Sequence, residues 1–366
     1  MDELLKEAFN IDVDTSNKRY EKEDVRISPS LPISYGTTKS GQLIDFFHSK
    51  EDLAPQGSEE WLLARMKCVG GSEIGAITGN NKHMKVEDLI LSKAGIKPFK
   101  PNHFMLWGTM FEDILRKTVE KIYNVKILET GSVVGEYGNA YSPDGVCYHP
   151  KEDKIILYEF KCPFSREPDG VVPPHYKDQV LLGLDTLNVC DEGRYIEAVI
   201  RRCSMEDIGF NTNYDNIILH KNIEYKTPIA YGFIGFFTSC DYMYGAKDIG
   251  NCERKLFIQI MYRIINGDID YYQFDPIVNP TISQEKNKET FYEQINKFYN
   301  FCNMRGLTVV GVMPYKIFPF EIHRIQKEKD FAKNLAPKIK EVLDKVQEIR
   351  EFENTKKYKN YRKKPN

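Results

Sequence analysis

Apolar residues recur with a helical period at Trp107, Met110, Phe111, Ile114, Leu115, Val119 and Ile122, which predicts an amphipathic helix over 104–123. Glu112 falls off that stripe, and Gly108 sits one turn before it on the same face. Two shorter helices are expected upstream. Ser58 can cap one that runs through Trp61, Leu62 and Arg65. After Gly70-Gly71, Ser72 can cap a second through Ile74 and Ile77, ended by Gly79-Asn80-Asn81. Pro173-Pro174 introduces a helix through Tyr176, Gln179 and Leu182. Further stripes (Phe291, Ile295, Phe298, Cys302; then Ile339, Leu343, Val346, Ile349) place helices at 284–304 and 337–354, with Pro337 in the first turn of the second. The runs at 197–204 and 229–238 read as strands, and residues 141–162 read as a β-hairpin.

The hairpin carries the most information. A turn over Pro150–Asp153 pairs His149 with Lys154 and Tyr148 with Ile155, and carries Asp144 opposite Glu159. One face then reads Tyr148, Val146, Asp144 on the first strand and Ile155, Leu157, Glu159, Lys161 on the second. It is apolar near the turn and charged at the far end. Opposed carboxylates repel, so one must take up a proton or a cation must join them. Two hard oxygen donors beside a lysine suit Mg²⁺ or Mn²⁺.

Composition narrows the class without identifying the chemistry. The 366 residues are two to three domains' worth, 41% apolar and 28% charged, as in a soluble globular protein. No run approaches the roughly 18 apolar residues that span a bilayer. The acidic start MDELLKEAFNIDVD resembles neither a secretory nor a mitochondrial leader, so an intracellular, soluble protein is expected. The eight cysteines form no CxxC pair, and reduced thiols are expected. A net charge of −2 conceals an uneven distribution. From Glu321 onward there are 14 Lys/Arg and 8 Asp/Glu, and the last eleven residues, KKYKNYRKKPN, hold six basic groups and no acid. Such a tail favours a polyanionic partner.

Asp144 followed by Glu159-Phe160-Lys161 resembles the D…ExK signature of the PD-(D/E)xK nucleases. More specifically, GSEEWLLARMKCVGGSEIGAITG (57–79), WGTMFED (107–113), YSPDG (141–145), EFKCP (159–163) and HYKDQVLLGL (175–184) together resemble the lambda exonuclease and YqaJ-type viral recombinase nucleases. The resemblance spans about 57–240. It implies an α/β (α+β) nuclease core, a mixed central sheet flanked by helices, followed by a mainly helical C-terminal extension. It implies that Asp144, Glu159 and the Phe160 backbone carbonyl bind one or two Mg²⁺ (or Mn²⁺) ions, and that Glu112 holds metal-bound water. Lys161 would orient the attacking water and stabilise developing charge, with Gln179 in support. Arg65 and Ser72 would hold a 5′-terminal phosphate. Ser142 and Tyr176 are candidate DNA contacts.

The expected division is an N-terminal extension (1–50), a nuclease core (51–245) and a C-terminal region with a basic tail (246–366). The implied activity is Mg²⁺-dependent 5′→3′ hydrolysis of double-stranded DNA ends to 5′-mononucleotides, leaving 3′ single strands for recombination or repair. A structure-specific endonuclease and a non-catalytic DNA-binding assembly protein are the alternatives. A single-strand annealing protein and further copies of the chain are candidate partners, with no membrane involved. A Lys/Asn/Tyr/Ile-rich composition together with the family suggests a large DNA virus or phage, acting in host cytoplasm or nucleus.

Overall fold

The computed structural model describes residues 38–49, 59–97, 100–205, 228–240, 248–278 and 284–362. In chain order these form α1 (Lys39–His48), α2 (Glu59–Arg65), β1 (Val69–Gly70), a 3₁₀ turn (Gly71–Glu73), α3 (Ile74–Thr78), α4 (Val86–Lys93) and α5 (His103–Tyr123). Then come β2 (Val133–Val134), β3 (Asn139–Tyr141), β4 (Gly145–His149), β5 (Lys154–Lys161), α6 (Pro174–Thr186), β6 (Glu192–Glu197), β7 (Ile200–Arg202) and β8 (Ala230–Thr238). The chain continues as α7 (Arg254–Ile265), β9 (Asp270–Gln273), β10 (Ile277–Val278), α8 (Gln284–Met304), β11 (Thr308–Ile317), β12 (Ile322–Gln326) and α9 (Phe331–Arg362). The architecture is mixed α/β, sheets flanked by helices.

The sheet that matters for chemistry has the order β12-β6-β5-β4. Its β4–β5 and β6–β12 pairs are antiparallel and its β5–β6 pair is parallel. A parallel neighbour needs a crossover, and α6 supplies it. This brings the carboxyl end of β5 and the start of α6 to one edge of the sheet, where open α/β sheets place their ligands.

Both faces of β5 are covered, so its alternating side chains enter two cores. Ile156, Tyr158, Phe160 and Cys162 pack with the α5 stripe of Trp107, Met110, Phe111, Ile114, Leu115 and Val119. Ile155 and Leu157 pack with Val180, Leu181, Leu182 and Leu184 of α6. The expected stripe is buried as far as Val119, but Ile122, in the last turn of α5, is 39% exposed. Asn102 caps α5, its side chain accepting from Met105 N.

Several elements differ from expectation. Residues 39–48, inside the supposed extension, form α1, which buries Leu43 in the α6 core and ties Lys39 to Asp191 at 2.5 Å; residues 1–37 lie outside the described part. The 197–204 run begins at the last residue of one strand, β6, and contains a second, β7; the two enter different sheets. The division at 245/246 runs through a sheet. Beyond it, β11 pairs antiparallel with β8 and β7, while β12 pairs with β6. The helix expected from 337 starts at Phe331, so Pro337 is interior to α9 rather than in its first turn. The side chain of Trp61 lies outside the described residues, whereas Trp107 is buried as expected. The described cysteines are all free thiols.

Candidate active site

The hairpin register is the expected one: His149↔Lys154, Tyr148↔Ile155 and so on to Gly145↔Tyr158. The ladder ends at that pair, where the chain needs a glycine at 145. A Cβ on Gly145 would lie 2.2 Å from Ile127 Cγ2. Asp144 is thus the residue just before β4, facing the level of Glu159. Its Oδ2 accepts the Phe160 N–H at 2.8 Å, beyond the end of the ladder.

Glu159 is fully buried. Its Oε2 accepts the Tyr141 hydroxyl at 2.6 Å, and its Oε1 accepts from Lys161 Nζ. The same ammonium donates to the Phe160 carbonyl oxygen at 3.1 Å and stands 3.6 Å from Asp144 Oδ2. One cation therefore sits among oxygens of three hairpin residues, Glu159, Phe160 and Asp144. Burial, and next the charge of Asp144, push the Glu159 carboxyl up to about 7. Burial works to lower Lys161, but Glu159 and then Asp144 outweigh it and hold the ammonium well above its ordinary range.

The buried Glu159 carboxylate and the half-buried Asp144 carboxylate crowd negative charge against one ammonium at this end of the hairpin. Its donors are hard oxygens: two carboxylates and a backbone carbonyl. That set fits Mg²⁺ or Mn²⁺, which favour such ligands and neutralise the repulsion that raises Glu159. Below about pH 7 Glu159 holds a proton that a divalent cation must displace. Cation affinity is therefore expected to fall by up to about tenfold per pH unit on acidification from pH 7. Mn²⁺ titrations of the metal-free protein at pH 6 and pH 8 check this, and equal affinities would contradict it. The linked stability effect has the opposite sense. With its folded value raised above the ordinary 4.5, Glu159 makes the metal-free fold lose stability as pH rises between the two.

Tyr141 positions Glu159, and glycines hold Tyr141. A Cβ on Gly71 would lie 2.6 Å from Tyr141 Cδ2, and one on Gly183 would lie 2.6 Å from Tyr141 Cζ and 2.7 Å from Leu157 Cδ2. The ring is clamped between the 3₁₀ turn and α6. Alanine in a helix interior gains about 1 kcal/mol over glycine. At Gly183 the overlap outweighs that gain, so Gly183→Ala is expected to destabilise the protein by about 1–3 kcal/mol. A denaturation midpoint equal to or above that of the parent would contradict it.

The other candidates lie around this cluster. Tyr176, in the first turn of α6, places its ring 5.3 Å from the Lys161 ammonium. Gln179 is buried one turn later, its Cγ 3.4 Å from a Cβ built on Gly71. Ser142 follows Tyr141 directly in the link to Asp144. Glu112 is half-buried on α5, the layer on the opposite face of β5. After burial, its charge is the next cause that raises the thiol of Cys162, the residue following Lys161.

Arg65 and Ser72 come together: Arg65 Nη2 donates to Ser72 Oγ at 3.4 Å. Ser72 does not cap a helix. It lies within the 3₁₀ turn, whose cap position is Gly70, with the Glu73 carboxylate accepting the Gly70 N–H at 2.7 Å. Glu73 also stands 3.6 Å from Arg65 and 2.8 Å from the buried Lys93. Nothing in the sequence singles out Glu73, Lys93 or the role of Tyr141, which YSPDG carries only as part of a motif.

Among the described residues no helix is long and apolar enough to cross a membrane. Residues 60–186 match the model of the YqaJ-like viral recombinase domain. A protein of an African swine fever virus tick isolate from Malawi is 26% identical over 322 residues, covering 80% of this chain and 86% of its own length. The counterpart in the Vero-adapted Badajoz strain is 26% identical over 329 residues, 82% of this chain and 88% of its own. Of solved structures, an alkaline exonuclease from Laribacter hongkongensis aligns at 12% identity and TM-score 0.42, over 82% of this chain and 99% of that one. A phage related exonuclease from Haemophilus somnus aligns at 12% identity and TM-score 0.35, over 79% and 96%.

Proposed function

We propose that this chain, whose residues 60–186 match a YqaJ-like viral recombinase domain, is a Mg²⁺-dependent exonuclease acting from the 5′ ends of double-stranded DNA. The observation that carries the reading is the convergence of Asp144, Glu159 and the Phe160 carbonyl on one cation position, presently filled by the Lys161 ammonium. When bound there, a divalent cation supplies a neutral-pH hydroxide and charge neutralisation for phosphodiester hydrolysis. Asp144, Glu159 and Phe160 O hold it, and Glu112 orients water from the opposite layer. Lys161 steadies the attacking water and the charge that develops on the phosphoryl oxygens. Tyr141, Gln179 and the Gly71 turn fix Glu159 in place. Tyr176 and Ser142 line the approach of the strand.

Arg65 and Ser72 hold the 5′-terminal phosphate. A guanidinium grips phosphate with two donors, and the turn presents N–H groups and a hydroxyl beside it. Arg65→Ala is expected to remove most of the preference for 5′-phosphorylated over 5′-hydroxyl ends, a change of about tenfold or more. Equal preference in the parent and the variant would contradict that role. The African swine fever virus relatives support a viral setting, and 3′ single strands left by resection would feed an annealing reaction.

A linear duplex labelled at one 5′ end, and a covalently closed circle, test the reading with and without Mg²⁺. Labelled mononucleotide from the linear substrate alone is expected. Nicking of the circle would move the activity to an endonuclease, and binding without cleavage would favour a non-catalytic assembly protein.

A further inference from the structure

The matched domain ends at 186, yet the corner that holds Arg65 and Ser72 is completed by a residue far beyond it. Helix α2 ends at Arg65; the carbonyls of Leu63 and Ala64 accept the N–H groups of Met66 and Lys67, and two cations take carbonyls of the turn that follows. Lys93 Nζ, almost fully buried, donates to the carbonyls of Arg65 at 2.8 Å and Cys68 at 2.7 Å. Arg350 Nη2, on α9, donates to the carbonyl of Met66 at 3.0 Å and to that of Lys93 at 2.7 Å. Every carbonyl from 65 to 68 except that of Lys67 thus meets a cation, and Arg350 ties the loop to the end of α4. The aim of Arg350 is set by packing. It follows Val346 and Val342 at helical spacing, and both are buried with Ile339 against the α4 and α6 layer.

We propose that Arg350 is a positioning residue for recognition of the DNA 5′ end, through which the C-terminal helix fixes the Arg65–Ser72 pair. The proposal rests on the phosphate role given above to Arg65 and Ser72. The hydrogen bonds of Arg350 described above go to backbone carbonyls, so its effect passes through the loop. Losing it frees the 65–68 turn, and the guanidinium of Arg65 then meets the phosphate from a spread of positions. Small misplacements of a binding group are costly in this way, about tenfold for a displaced clamp. The hydrolytic cluster on the hairpin keeps its own supports, Tyr141, Phe160 N–H and the glycine clamp.

The test compares the full chain with its Arg350→Ala, Arg350→Lys, Arg65→Ala and doubly substituted (Arg65→Ala with Arg350→Ala) forms, on duplexes ending in 5′-phosphate or 5′-hydroxyl. For Arg350→Ala, KM on phosphorylated ends is expected to rise about tenfold with kcat near that of the parent. The phosphate-to-hydroxyl preference falls toward that of Arg65→Ala, and the double variant is no worse than Arg65→Ala alone. Arg350→Lys, which keeps one donor for the carbonyls, retains part of the preference. Parental preference in Arg350→Ala, or equal loss of kcat on both ends, overturns the proposal. If the parent itself ignores the end group, or Arg65→Ala changes nothing, the phosphate reading fails and the Arg350 role falls with it. If Arg65→Ala behaves as expected and Arg350→Ala does not, only the positioning role is lost.

Discussion

Replacing Glu159 with Gln is expected to lower DNA cleavage about a thousandfold or more while the protein remains folded. The substitution preserves shape and an oxygen that can accept the Tyr141 hydroxyl, now 2.6 Å from Oε2. It removes the charge that, with Asp144, makes the pocket a cation site. A side chain buried this completely, whose carboxyl is pushed up to about 7 first by burial, contributes little to stability as an anion. The metal-free variant is therefore expected to unfold at or above the parental temperature at pH 8. Cleavage assays and thermal unfolding of the same preparation check both halves. Cleavage within tenfold of the parent would remove Glu159 from the chemistry, and a large fall in stability would mean that the carboxylate is structural.

Lys161→Ala is expected to separate two roles that the cluster combines. The ammonium sits on the Glu159, Phe160 and Asp144 oxygens, which are the proposed cation ligands, so it competes with the metal while helping the reaction. Removing it should raise Mn²⁺ affinity, because the Glu159 and Asp144 carboxylates lose the ammonium that balances them. Cleavage should nevertheless fall by about 10²–10⁴-fold, the usual contribution of a positioned proton-transfer or charge-stabilising group. Metal affinity and single-turnover cleavage, measured on one sample, distinguish this from a structural defect. Weaker metal binding in Lys161→Ala would show that the lysine supports the ligands instead of competing with them.

What the sequence revealed of this site follows from how local each part is. The hairpin register was legible because a short turn fixes it and period-two alternation then decides which side chains share a face. Asp144, Glu159 and Lys161 were therefore placed together before any tertiary contact was known. The α5 stripe was legible for the same reason, except at Ile122, which is exposed in the last turn of the helix. The clamp on Tyr141 was not legible. Gly71 and Gly183 are 112 positions apart, and only the packing of the 3₁₀ turn on α6 shows that both must lack a Cβ. Ser72 looked like a helix cap because Ser after Gly-Gly usually is one; here Glu73 takes the Gly70 N–H instead. Glu112 could be named from its motif, but its position across β5 from the carboxylates depends on layer packing. The same holds for β11 and β12. Both fall in the C-terminal region expected to be mainly helical, and each completes a sheet begun well before residue 245.

If the Asp144–Glu159–Lys161 cluster hydrolyses DNA with a divalent cation, cleavage must depend on both the carboxylates and the cation. The most direct measurement is release of mononucleotide from linear duplex DNA as Mg²⁺ is titrated, for the parent and for Asp144→Asn of matched circular dichroism. The expected result is release that rises with Mg²⁺ in the parent and is absent at every concentration in the variant. Mg²⁺-independent release by the parent, or parental rates in Asp144→Asn, would contradict it.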